Sequence, residues 1–305
     1  MFSTSHADLR GVTLHYASAG PEQGTPVLLL HGWPDLWFTW EAQMATLAQR
    51  GFRVVAPDQR GYGASSKPPR VRDYRVETLS EDIALLIEHL ELGPVHLVGH
   101  DWGGAVSAWL TIRRPDLVRS LTLVNAPHPL VFAKALLLRP SQILRSWYMF
   151  FFQIPWLADR LFELGDSALL AFMLRYGAHI DDPSLLARYR EHWRRNPGSA
   201  RMPLYWYRAL FRNMLAADVG LLRRTIEVPA LILWGTRDGA FATGTAEHSA
   251  RYFRRARVQN FAAGHWPFRE QPREFSQSLL TWFAEHAEPA LEGPQLPPSL
   301  LLGAP

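Results

Sequence analysis

The octapeptide VGHDWGGA, Val98 to Ala105, decides how this chain is read. An apolar run, VHLV from Val95, leads into it and a helical pattern, Gly104 to Ile112, leads out, so its glycines mark a sharp strand-to-helix turn. G-x-D-x-G has the outline of a turn that lifts a nucleophile out of a sheet, a position usually held by serine. Here it holds Asp101. An aspartate ahead of a helical run is also an ordinary N-cap, so the meaning of the turn rests on what surrounds it.

Working outward, short runs rich in Val, Leu and Ile recur: VLLL from Val27, RVVA from Arg53, LTLV from Leu121 and ALILW from Ala230. Continuous apolar character suits parallel strands covered on both faces. Helical patterns such as Glu77 to Leu90 fall between them, and strands alternating with helices predict an α/β fold with a mostly parallel sheet flanked by helices. From about Leu130 the alternation gives way to helical, aromatic, arginine-rich sequence. The expected organisation is a first core segment over 1–129, an inserted helical cap over 130–228, a second core segment over 229–288, and a proline-rich, poorly ordered tail over 289–305.

The bulk numbers exclude several classes. Hydrophobic residues at 48% and charged residues at 20% describe a globular chain. A net charge of +4 is spread over single or paired arginines such as Arg70, Arg72 and Arg194-Arg195, with no block suited to nucleic acid. No cysteine is present, so thiolate metal sites and disulfides are excluded. The opening MFSTSHADLR lacks a signal-peptide apolar core, and no run reaches transmembrane length, so the expected location is cytoplasmic.

Three further segments sit just past predicted strands, where ligands bind in parallel sheets. HGWPD, His31 to Asp35, follows VLLL; WGTRD, ending at Asp238, follows ALIL; AGHWP, from Ala263, follows Arg257 to Phe261 and carries His265. APDQRGYGAS, Ala56 to Ser65, is read as a structural loop. The position after Leu121–Val124 holds neutral Asn125.

HGWP, GHDWGG and GHW, in that order, resemble the motifs of α/β-hydrolase-fold epoxide hydrolases of the soluble type, over about Gly11 to Glu285. That resemblance implies Asp101 as nucleophile, His265 as base and Asp238 as its acid, with the backbone N–H groups of Trp33 and Trp102 as an oxyanion hole. Two cap tyrosines face the nucleophile in that family. WYMFFFQIP from Trp147 and PLYWYR ending at Arg208 put Tyr148 and Tyr207 at the matching positions, with Tyr205 as an alternative to Tyr207. Trp33, His100, Phe152, Trp156 and Trp266 are the expected substrate-binding residues, and Phe150 and Leu204 add to the apolar cap. No metal or cofactor is implied.

An aspartate suits this chemistry. An alkoxide attacking an epoxide carbon leaves an ether, which water does not readily cleave, whereas a carboxylate leaves an ester, which it does. The expected partners are therefore a hydrophobic epoxide and water, with no nucleic acid and no membrane span, and with self-association left open. Haloalkane and haloacid dehalogenases share the aspartate, histidine and acid, and a catalytically idle binding protein could retain the fold. Paired cap tyrosines favour the epoxide reading.

Overall fold

A computed structural model describes residues 2–178, 180–214 and 218–287; the tail expected over 289–305 lies outside them. Eight strands form one sheet: β1 (Ser3–Leu9), β2 (Val12–Ala19), β3 (Pro26–Leu30), β4 (Arg53–Pro57), β5 (Val95–His100), β6 (Val118–Val124), β7 (Ala230–Gly235) and β8 (Ala256–Phe261), in the spatial order β1-β2-β4-β3-β5-β6-β7-β8. β1 and β2 pair antiparallel, as do β2 and β4; every other pairing is parallel. β5 and β7 are buried at every position, as expected of strands covered on both faces.

Helices α1 (Glu41–Gln49), α2 (Val76–His89) and α3 (Trp102–Arg113) connect the strands up to β6. The chain leaves the sheet after Val124 and rejoins it at Ala230, beside Leu121 on the neighbouring strand. Between these points lie α4 (Pro129–Leu138), α5 (Pro140–Arg145), α6 (Trp147–Phe151), α7 (Pro155–Gly177), α8 (Pro183–Arg195), α9 (Leu204–Asn213) and α10 (Val219–Leu222). Proline opens α4, α5, α7 and α8, where its missing N–H costs no helical bond. α7 is interrupted at Leu164–Ser167, where Gly165, Asp166 and Ser167 take left-handed angles. Then come α11 (Thr245–Ala250), α12 (Pro267–Glu270) and α13 (Pro272–Glu285).

The inserted helices share one apolar core with the sheet: Phe152, Phe162, Trp193 and Trp206 belong to the same buried cluster as Leu29 and Val98. Polar contacts fasten α8 to the sheet side. Arg188 forms a two-pronged ion pair with Glu41 at 2.7 Å on each arm, the Tyr189 hydroxyl donates to buried Asp35, and His192 approaches buried Asp58 at 3.5 Å. The order β4-β3-β5 means that successive parallel strands leave β3 on opposite sides. This opens a crevice at the carboxyl ends of β3 and β5, the usual ligand position in such sheets.

Candidate active site

Asp101 lies between β5 and α3 with φ 50° and ψ −117°, backbone angles that a non-glycine residue adopts only at a cost. The turn closes because Gly103 has no side chain: a Cβ there would lie 2.4 Å from the Leu30 carbonyl oxygen. From β3 the HGWPD turn comes equally close. A Cβ on Gly32 would lie 2.5 Å from the Cβ of Asp101, so only glycine lets the two loops meet.

That contact delivers a donor. The Trp33 backbone N–H donates to Oδ1 of Asp101 at 2.9 Å. Trp102 opens α3, so its N–H belongs to the first turn, whose donors have no partner inside the helix, at the positive end of the helix dipole. Oδ1 thus accepts one backbone N–H, that of Trp33, beside the start of α3.

His265 follows β8 and faces the other carboxylate oxygen. Its Nδ1–H donates to Oδ2 of Asp238 at 2.7 Å, which fixes the tautomer and turns Nε2 toward Asp101, 3.7 Å from Oδ2. Burial works against the imidazolium, but the Asp238 and Asp101 carboxylates outweigh it and push the imidazole up to about 10. Asp238 also accepts from the Asn125 side-chain amide at 2.5 Å and from the Ala240 N–H at 2.6 Å. Burial raises its pKa, yet the charge and hydrogen bond of His265, with these amides, bring it below the usual carboxylate range. Asn125, set aside in the sequence as a neutral residue where an acid could sit, is thus the clamp on Asp238. Its own oxygen accepts from the Gly235 N–H at 2.9 Å.

From the inserted helices, Tyr148 on α6 and Tyr207 on α9 share with Asp101 a cavity of about 130 Å³. Its other walls are mainly apolar and include Phe132, Leu136, Met149, Leu210 and Phe241, none of which stood out in the sequence. The phenols lie near one another, ring centres 5.9 Å apart at 79°. Burial, then the charges of Asp101 and Asp238, raise Tyr148 far above the ordinary phenol value. Burial likewise raises Tyr207, reinforced by Tyr148 and Asp101 and opposed by hydrogen bonding from the Trp102 side chain. Both stay protonated at neutral pH. Tyr205 sits elsewhere, edge-on to Tyr74 at 5.5 Å and beside the Arg208 guanidinium.

Some expected substrate contacts require correction. Trp156, at the solvent-facing start of α7, is 70% exposed, and Phe150 is exposed and packs on Phe211, because both sit on the outer side of their helices. Leu204 is buried in the core. His100 is fully buried and braces the histidine loop by donating from Nε2 to the His265 carbonyl at 2.9 Å. Burial and the neighbouring His265 lower its pKa to about 3, so it carries no charge. Trp266 is spent on Asp35, to which its indole N–H donates at 2.8 Å. Phe152 packs edge-on to Trp33 and Tyr207 and backs the tyrosine ring from behind, while the Trp33 ring lies parallel to that of Tyr148.

Asp35 is a second residue whose part the sequence hid. Fully buried, it gathers the Tyr189 hydroxyl, the Trp266 indole and Arg269 at 2.5 Å, so one carboxylate ties the oxyanion turn, the histidine loop and α8 together. Among the described residues no three His, Asp or Glu side chains cluster as metal ligands would, and no helix is long and apolar enough to cross a membrane.

Comparison with known proteins bears on this geometry. Residues 25–272 match a family model described as the alpha/beta hydrolase fold. A Bacillus subtilis (strain 168) protein named AB hydrolase superfamily protein YfhM is 35% identical over 89% of this chain and 94% of its own. Mouse epoxide hydrolase 3 is 35% identical over 90% of this chain and 75% of its own. Among solved structures, the Bacillus megaterium epoxide hydrolase in complex with an inhibitor superposes with a TM-score of 0.81 at 29% identity, covering 92% of this chain and all of that one.

Proposed function

The chain belongs to the α/β-hydrolase family and, within it, to the epoxide hydrolases, hydrolases that act on ether bonds, and we propose that it opens a hydrophobic epoxide to a vicinal diol through an ester on Asp101. The observation that carries this reading is the shared cavity in which two protonated phenols, Tyr148 and Tyr207, lie with the Asp101 carboxylate.

In the first half-reaction Oδ2 of Asp101 attacks a ring carbon, the carbon–oxygen bond breaks on the opposite side, and the departing oxygen takes a proton from the tyrosine pair. Oδ1 remains on the Trp33 N–H and becomes the carbonyl oxygen of the new ester. Esterification removes one of the two anions that keep His265 protonated. Its pKa therefore falls, the proton passes to the tyrosine pair or to solvent, and Nε2 becomes a base.

In the second half-reaction Nε2 takes a proton from a water that attacks Cγ of Asp101. The oxyanion is stabilised by the N–H groups of Trp33 and Trp102, each contributing about 3 kcal/mol by analogy with other oxyanion holes. Collapse expels the diol oxygen, which recovers the proton from His265. The oxygen that entered as Oδ2 leaves in the diol, and the water oxygen stays in Asp101. Apolar walls around the cavity favour an aryl or alkyl epoxide.

The test is to measure diol formation from such an epoxide alongside halide release from a haloalkane. Diol without halide is expected; halide without diol would replace this reading by dehalogenation, and neither product by ligand binding alone.

A further inference from the structure

Beyond the catalytic cavity, the outer face of α4 to α6 and the start of α7 plays no part in the proposed chemistry. Of the twelve large hydrophobic side chains exposed among the described residues, eight fall within residues 137–156. Leu138, Leu144, Trp147 and Trp156 are 75%, 74%, 66% and 70% exposed. Isolated exposed leucines are ordinary, but a concentration of them marks a surface that meets something. This is a one-sided arrangement: α4 turns Phe132 and Leu136 into the cavity and Leu137 and Leu138 out to solvent.

Charge identifies what the face meets. Between Asp116 and Asp159 the chain has no acidic residue, and Lys134, Arg139 and Arg145 stand among the exposed leucines and tryptophans. Lys134 and Arg145 donate to neutral acceptors, the Tyr252 hydroxyl at 3.2 Å and the Gly239 carbonyl at 2.8 Å, so these contacts leave their charge uncancelled. A second copy pairing through the same face about a two-fold axis would set these cations against themselves. An anionic bilayer would instead meet each group with its complement: acyl chains for the leucines, the interfacial zone for the tryptophans, and lipid phosphates and carboxylates for the cations. We propose that the outer face of α4–α6 is a docking surface for anionic membranes, on which the protein lies without crossing.

The test is flotation of the full chain with vesicles of phosphatidylcholine alone or mixed with phosphatidylserine, which reads binding independently of any enzymatic assay. Binding to the mixed vesicles should exceed binding to the neutral ones by about tenfold at low ionic strength and weaken as salt rises. Leu138→Ser with Leu144→Ser should reduce binding to mixed vesicles about tenfold. Lys134→Glu with Arg139→Glu, which leaves the leucines in place, should abolish the preference for phosphatidylserine; thermal melting checks that both variants fold. Absence of binding to mixed vesicles, or equal binding by folded variants and wild type, would overturn the proposal. So would a dimer in sedimentation velocity that becomes monomeric on changing the leucines, with no vesicle binding by the wild type, since the face would then join two copies.

Discussion

The two halves of the site meet at one carboxylate but are held by different forces. On the sheet side, Asp101, His265 and Asp238 are fixed by directional hydrogen bonds from Trp33, Asn125 and Ala240, on turns that glycines alone allow to close. On the cap side, Tyr148 and Tyr207 are held mainly by ring packing against Trp33, Trp102, Phe152 and each other, with hydrogen bonding from the Trp102 side chain to Tyr207 added to it. Hydrogen bonds at 2.5 to 2.9 Å specify a reacting geometry; aromatic contacts with centres 5 to 6.3 Å apart specify a shape. In the proposed mechanism, proton transfer and attack depend on the first kind of support, and the choice of leaving group depends on what the second kind places overhead.

Substitutions can break this contrast at graded strengths. Asp101→Ala should eliminate covalent labelling and reduce diol formation to the uncatalysed background, read by intact mass and product assay. His265→Gln should still be alkylated but should stall, with turnover about 10⁴-fold lower, as when a catalytic histidine is held in the wrong tautomer; intact mass should show protein plus one substrate. On the cap side, either Tyr148→Phe or Tyr207→Phe should slow alkylation by about 10²-fold, the low end for a general acid, and the double change should nearly abolish ring opening. Wild-type alkylation by the folded double variant would reduce the tyrosines to packing.

Two further expectations concern stability. Arg269→Met leaves the Asp35 carboxylate buried without its cation and should cost about 3 kcal/mol in denaturant unfolding, the lower end for a broken buried pair. A pH-dependent effect belongs to His265. Its folded pKa of about 10 exceeds the unfolded value of 6.5, so its contribution is fully present below 6.5 and is lost as pH rises through about 10. Relative to His265→Gln, wild-type stability should decline across that window; a difference independent of pH would contradict the assigned charge state.

How much of this was legible in the sequence follows the same division. β3 to β7 could be read because their apolar runs stand between glycines, prolines and polar turns. β1, with the sequence STSHADL, could not: it is an edge strand whose only fully buried residue is Ala7. β2 gave no apolar run either, and its His15 and Thr13 backbone N–H groups are held by the distant Ser65 and Ser66 hydroxyls. The elbow was legible because its steric needs fall within a few residues. Asn125 and Asp35 were not, since their partners lie 113 and 234 positions away at Asp238 and Arg269. Trp156 misled because hydrophobicity alone does not say which side of a helix faces water.

The central claim is that Asp101 carries the substrate as an ester, and isotopic oxygen tests it most directly. Enzyme in excess over epoxide, in water enriched in heavy oxygen, should complete one turnover and release diol without the label, while the peptide containing Asp101 gains it. Labelled diol in that first turnover, with an unlabelled Asp101 peptide, would show that water attacks the epoxide directly and would contradict the account.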